Sequence, residues 1–259
     1  GPVAFLLSRR GLTLAAFAVV LTVACVLLGL WQMDRYELRQ DRNSAVTTAL
    51  DAPSVPLSDV LPAEGPLPDG AEWRTVVVEG RYDPSAQVTL RLRPVDGQAG
   101  LHVLTPLVQP DGTAVLVDRG FLPTQQAGQQ VDVPEPASGA VEVTGRLRLS
   151  EAGRGSGIDV DSQPPSIRFV DLEALGGELG LDLTPVWVER LTQTPTDPGE
   201  IAPSPAPTLS AGPSLIYSIQ WFLFGVIAVV GFVVLARRDS RSGTADTDAA
   251  PDPARPTSA

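Results

Sequence analysis

The sequence has no lysine; all 19 basic residues are arginine. It has one cysteine (Cys25), one histidine (His102) and one methionine (Met33). A lone cysteine excludes a disulfide framework within the chain. One residue of each soft-ligand type leaves no cluster for copper or zinc, so a copper chaperone is disfavoured. The missing lysine, with 25 Pro, 24 Gly and abundant Ala, marks a GC-rich genome more than a function.

Basic charge is scarce as well as uniform. The net charge is −11, and it is unevenly spread. Between Asp34 and Pro213, 13 Arg face 26 Asp plus Glu, a balance of −13. A region this acidic argues against nucleic acid and against anionic lipid as partners.

Charge is absent altogether from two long apolar runs. Gly11–Met33 and Ser214–Ala236 each reach the roughly 20 residues that a helix needs to cross a bilayer, where backbone groups must be satisfied within the segment. The first run is too long for a signal-peptide core, and no A-x-A site follows it. A lipoprotein cleavage before Cys25 would cut into a continuing helix. The expectation is therefore an uncleaved transmembrane helix at residues 11–33 and a second at 214–236. Trp31, Tyr217 and Trp221 lie at the interfacial depth. Arg9 and Arg10 flank the first span, and Arg237, Arg238 and Arg241 the second. That places residues 1–10 and the polar tail 237–259, expected to be disordered, in the cytoplasm, and residues 34–213 outside it. The expected setting is the plasma membrane of a bacterium, with the lipid bilayer as one partner.

The intervening region reads as β-rich. Asp34–Leu50 continues the first helix, and Asp51–Gly70 is a Pro/Gly-rich loop. Trp73–Tyr82 is β-branched. Gln87–Arg93 alternates, with Val88, Leu90 and Leu92 on one face. Leu101–Val108 and Thr113–Phe121 flank Gln109-Pro110-Asp111-Gly112 and form a hairpin. Val141–Leu149 alternates, with Val141, Val143, Leu147 and Leu149 inward, and Val186–Leu191 is a last strand. Phe169–Leu179 is a short helix cut by Gly176 and Gly177. The expected fold is a mainly antiparallel small barrel or curled sheet with one short helix, between two transmembrane helices. Arg91 with Arg93, and Arg146 with Arg148, fall on outward faces. There they pair with acids on a solvated surface or bind a carboxylate or propionate. Residues 192–213, with six prolines, read as an extended tether.

Catalytic signals are weak. Any Ser/His/Asp arrangement must use His102, whose leading reading is a packed or surface side chain, with a base or a haem ligand as the lesser alternatives. Gly153-x-Gly155-x-Gly157 lacks the Lys-Ser/Thr of a phosphate loop. Asp159-x-Asp161 is the kind of pair that an acidic region makes by chance. At the span ends, Trp31-Gln32-x-x-Arg35 and Tyr217-x-x-Gln220-Trp221 carry polar groups. The Gln32 and Gln220 amides either bond to one another or to a partner helix, or face headgroup water.

These motifs in this order resemble the surfeit locus protein 1 family of cytochrome c oxidase assembly factors. The likeness is carried by Gly29-Leu30-Trp31-Gln32-x-x-Arg35, Gly80-Arg81-Tyr82-Asp83-Pro84, Arg91-x-Arg93-Pro94 and Gly100-Leu101-His102-Val103-Leu104-Thr105-Pro106-Leu107. It continues in Val115-Leu116-Val117-Asp118-Arg119-Gly120-Phe121-Leu122-Pro123 and Tyr217-x-x-Gln220-Trp221-Phe222. The resemblance implies a non-enzymatic role in maturing oxidase subunit I, at the step where haem A reaches it, with haem A synthase a further partner. It implies that Arg119 pairs with a buried carboxylate or a haem propionate, and that Gly120 permits close backbone approach; both are equally fold-keeping residues. Many members carry His three residues before the Tyr of the second helix. Here Ser214 stands there, which favours a scaffold over a haem carrier; a haem held here would turn to His102. A stoichiometric accessory subunit of a respiratory oxidase is the alternative.

Overall fold

Two long helices bracket a mixed β-domain in the computed structural model, which describes residues 9–62, 65–124, 131–199, 201–210 and 212–245. The expected N-terminal residues 1–8 and the tail beyond 245 lie outside the described residues, as do the side chains at 214 and 239–245. The chain divides into two compact units, Gly1–Asn43 with Leu209–Ala259, and Ser44–Thr208.

Helix α1 (Arg9–Asp51) carries the first apolar run and continues through the polar stretch after it, as its helix-forming composition leads one to expect. The short α2 (Leu172–Leu179) lies in the domain, and α3 (Ser214–Ala245) carries the second apolar run. Both long helices contain a segment long and apolar enough to cross a membrane.

Eight strands form the domain: β1 (Val55–Pro56), β2 (Thr75–Tyr82), β3 (Val88–Leu90), β4 (Gly100–Val108), β5 (Ala114–Pro123), β6 (Val141–Leu149), β7 (Ser166–Ile167) and β8 (Leu183–Thr194). Their order is β1-β2-β6-β8-β5-β4-β3-β7. The ladder closes because β2 changes partner along its length. Thr75–Gly80 pair with β6, whereas Arg81 and Tyr82 pair with Val108 and Leu107 of β4. The result is a ring β2-β6-β8-β5-β4, which removes two sheet edges.

The expectation of a mainly antiparallel sheet is corrected: the sheet is mixed. The β4–β5 hairpin and the β2–β6 and β6–β8 pairs are antiparallel. The β5–β8 pair is parallel, as are β1–β2 and β3–β7. A parallel pair needs a long crossover, and the connection from β5 to β8 carries β6, β7 and α2. Local turn signals report hairpins and say nothing of such a return.

Two cores explain the strand sequences. Val115, Val117, Val186 and Val188 join Val76, Val78, Leu107, Val143 and Leu147 inside the ring. The alternate residues Leu116 and Trp187 face outward, where α2 covers them with Leu172 and Leu175. Hence residues 114–117 of β5 and 186–188 of β8 are apolar on both faces and read as continuous hydrophobic runs. Each fully buried Leu or Val is worth about 1.5–3 kcal/mol. Asp171 caps α2 by accepting from Ala174 N–H at 3.4 Å, and Gly180 ends it at φ 68°. The Gly176-Gly177 pair does not cut the helix. A side chain on Gly176 would meet the Leu181 carbonyl, so the glycine serves packing.

Other departures are local. Strand β3 is short, and Leu92 leaves it at φ 66° with 66% exposure instead of facing inward. Leu149, expected inward, is 40% exposed at the end of β6. The outward Arg146 is buried, not solvated, because the proline-rich segment after β8 lies over it.

Candidate functional site

The outward face of four adjacent strands carries a row of charged and polar groups: His102 on β4, Asp118 on β5, Glu189 on β8 and Arg146 on β6. Register places Asp118 opposite Glu189, and Glu189 opposite Arg146. Period-two alternation demands this, since Val117, Val188 and Leu147 fill the interior. A bare barrel would leave the row in water. Instead residues 195–199 and 201–208, part of the segment 192–213 read in the sequence as a tether, form a strap across it. Phe121 N–H donates to the Ala202 carbonyl at 2.7 Å. Arg146 donates from Nη2 to the carbonyls of Ser204 and Pro205, both at 2.9 Å, and from Nε to Glu189 at 3.1 Å. Ile201 and Ser204 are buried.

Gly120 makes room for the strap. Its φ is 136°, and a Cβ there would collide with the Ala202 carbonyl. The backbone that approaches Gly120 is therefore the chain's own.

Arg119 is fully buried, and each of its five N–H groups has an acceptor. Nε and Nη2 donate to Asp197 Oδ2 at 3.0 and 2.9 Å. Nη2 also reaches the Glu135 carbonyl at 3.0 Å, and Nη1 reaches Pro134 O and Gln87 Oε1 at 2.9 and 3.1 Å. Of the two partners that the resemblance offered, a buried carboxylate occupies the guanidinium. Burial draws the Arg119 pKa down and the Asp197 charge opposes it; the group stays charged. Asp197 also accepts from Arg190, from Gln193 and from Ala137 N–H at 2.8 Å. Burial raises the carboxyl's pKa, but the Gln193, Ala137 and Arg190 bonds and the Arg119 charge outweigh it and hold it below the usual range. Sequence reasoning missed Asp197. The signal was an acid inside a proline-rich segment, next to a β5 arginine that needed a partner.

His102 shares its row with a serine and an aspartate, but not as a catalytic triad. Nδ1 lies 2.9 Å from Asp118 Oδ2 and 3.2 Å from Ser204 Oγ. The serine donates to the same Asp118 oxygen at 2.7 Å. A triad needs the serine on the other ring nitrogen, where the imidazole can take its proton. Here the serine binds the strap to the wall. The His102 ring packs against Phe121, with centroids 5.4 Å apart. Burial lowers the imidazolium pKa, the Asp118 hydrogen bond and charge raise it, and the balance is upward. Glu189 is also pushed up, by burial that outweighs Arg148 and Arg146. Arg148 meets Glu189 and Glu72 and stacks on Trp73, 3.9 Å from its ring centre.

The expected boundary residues lie in the other unit. Arg35 sits 5.7 Å over the Trp31 ring, and Trp221 meets Phe224 edge-on at 5.8 Å. Trp31 and Tyr217 are exposed, Gln32 is half-buried and Gln220 exposed. No hydrogen bond joins Gln32 to Gln220 among the described residues. The helices meet through small residues: Ser218 Oγ donates to the Gly29 carbonyl at 2.8 Å, and a side chain on Gly29 would strike Phe222. Ser214 opens α3, and its side chain lies outside the described set.

A family model described as the SURF1 family matches residues 19–226. The chain belongs to the SURF1 family. A SURF1-like protein of Mycobacterium bovis and one of Mycobacterium tuberculosis are each 33% identical over 258 residues, covering 98% of this chain and 93% of theirs. The surfeit locus protein 1 of Takifugu rubripes is 26% identical over 226 residues, 81% of this chain and 90% of its own. The SURF1 match takes in most of the first apolar run, the barrel, the strap and the opening of α3, so all the residues above fall inside it.

Proposed function

We propose that this SURF1-family chain is a non-enzymatic assembly factor for haem-copper cytochrome c oxidase, acting on the maturation of subunit I, at or near haem A insertion. It works as a bacterial plasma-membrane protein with two spans, both termini cytoplasmic and the barrel outside. What supports this is family membership from the first apolar helix through the domain to the opening of the second; the role in oxidase biogenesis is what the resemblance to that family implies. Haem A synthase is a further partner in this reading.

The domain's residues do not fit a resident haem. Arg119 has no donor left for a propionate, and His102, whose Nδ1 is tied to Asp118, keeps Nε2 but sits in a ring packed against Phe121 with its side chain only 11% exposed, too enclosed to meet a porphyrin iron. The role is therefore a scaffold that engages subunit I while haem is delivered. Deleting the gene should lower assembled oxidase and its haem a content while subunit transcripts stay normal. Normal oxidase in the deletion strain overturns the reading. Stoichiometric recovery of the chain in the purified mature complex points instead to an accessory subunit.

A further inference from the structure

Beside the saturated Arg119 stands an arginine that is not saturated. Arg190 of β8 donates from Nη1 to Gln193 at 3.2 Å and to Asp197, and from Nη2 to the Arg119 carbonyl. A guanidinium has five N–H groups. Those bonds leave the Nε–H and one Nη2–H of Arg190 without an acceptor among the described residues, and Nε is not sealed from solvent. Nε and Nη2 form the side edge of a guanidinium, the edge that Arg119 turns to Asp197. Charge here is positive on balance. Arg119 and Arg190 share one carboxylate, Asp197, and no other acid forms an ion pair with either among the described residues. Tyr82 lies beside both guanidinium groups and is neutral, because burial pushes its pKa above the ordinary value. This positive spot lies in a region whose overall balance is −13. Arg190 and Asp197 line a cavity of about 570 Å³ between the end of β8 and the strap. Thr192 and Thr196 line it too, and their hydroxyls have no partner among the described residues. Leu191, Ile201 and Pro203 make the apolar part of its wall. No histidine, cysteine or methionine lines it, so nothing there would ligate a haem iron.

We propose that this cavity binds an organic monocarboxylate with an apolar body, its carboxylate on Arg190 and its body against Leu191, Ile201 and Pro203. The site goes beyond the scaffold reading and does not depend on it. Two guanidinium groups and one carboxylate leave a single positive charge to be matched, so a second carboxylate on the ligand would be unpaired. The unused N–H groups of Arg190 are donors only, and the two threonine hydroxyls can donate beside them, which suits an acceptor-only head group. A cation has no such place. The cavity's one carboxylate, Asp197, already accepts from Arg119, Arg190, Gln193 and the Ala137 N–H. The apolar wall excludes a bare inorganic anion as the best fit, since it would leave Leu191 and Pro203 facing water. The volume lies within the roughly 300–1,000 Å³ of small-ligand sites. Two sources share this chemistry: a free carboxylic acid, and the C-terminus of a polypeptide that ends in an apolar residue.

The test uses the full chain in detergent with N-acetyl-leucine as the probe, read as saturation transferred from the protein to the leucine methyl protons by NMR. N-acetyl-leucinamide, with the same body and no charge, is the control and should receive none. Arg190→Lys keeps the charge and loses the planar edge, and should weaken binding about tenfold. Thr192→Val with Thr196→Val removes two exposed hydroxyls that hold nothing in the fold, and should weaken it about tenfold as well. An equal response to the acid and the amide overturns the proposal, and so does an unchanged affinity in Arg190→Lys. If Arg190→Lys loses its thermal unfolding transition, the threonine pair decides, and an unchanged affinity there overturns the proposal. 4-Methylpentanoate, which lacks the amide, separates the two sources. Affinity equal to that of N-acetyl-leucine assigns the site to a free carboxylic acid, and a weaker one assigns it to a polypeptide C-terminus.

Discussion

Arg119 and Arg168 belong to one domain and are treated in opposite ways. Arg119 is fully buried and its donors are matched by Asp197, Gln87 and two carbonyls. Arg168 is exposed and meets an aromatic ring. The first has nothing left to offer a partner; its value shows only when it is broken. A buried ion pair adds little against an apolar replacement, yet removing one member strands the other and costs about 3–5 kcal/mol. Asp197→Ala should therefore give the largest loss in this molecule, read as denaturant unfolding of the full chain in detergent. Arg119→Met with Asp197→Leu together should recover only part of it, because Arg190 and the Ala137 N–H still lose their acceptor. A loss below about 1 kcal/mol for Asp197→Ala would mean that the strap side is as solvated as the surroundings of Arg168.

A smaller break tests whether the strap is seated. Gly120→Ala puts a Cβ at φ 136° against the Ala202 carbonyl. It should destabilise by more than about 1 kcal/mol and expose residues 197–205 to limited proteolysis. The equivalent change at Gly97, also at positive φ but with nothing near its Cβ, should leave the strap protected.

His102 adds a pH dependence to the strap side. Its folded pKa is raised, burial being outweighed by Asp118. The pair's contribution is then complete below the unfolded value of about 6.5, and is lost as pH rises through the folded value. Between pH 6 and 9 the thermal midpoint should fall, and His102→Gln should remove that component. Glu189, also raised, acts in the same sense from a lower starting value, so the difference between the two proteins isolates the histidine. A His102→Gln profile that matches the parent would detach His102 from the strap's stability.

The legible part of this fold is what local pattern encodes. Strand β6 falls on Val141–Leu149 as read, and the β4–β5 hairpin turns where Pro110-Asp111-Gly112 predicts. The two apolar helices follow from length and charge alone. The closure of β2 onto β4, the parallel β5–β8 pair and the strap depend on residues far apart in sequence, and no periodicity marks them. Alternation placed Arg146 outward correctly, but outward meant solvated only until a proline-rich segment was found lying on it. At the candidate site, motif resemblance singled out Arg119, Gly120 and His102. Their partners Asp197, Ala202 and Ser204 sit on the strap, where composition suggested only a spacer.

The smallest expected effect is the most discriminating. Arg168→Gln removes one guanidinium from an exposed ring contact, worth about 0.5–1 kcal/mol at most. Arg154→Gln leaves Glu151 still paired with Arg93 at 2.7 Å. Neither change strands a buried charge, so unfolding should stay within about 1 kcal/mol of the parent for each. If both variants remain this stable, the domain's stability resides in its buried arginines and not in the exposed ones. If Arg168→Gln instead unfolds the domain as Asp197→Ala does, its guanidinium is buried in solution. The contrast between a saturated and an available set of charges then disappears.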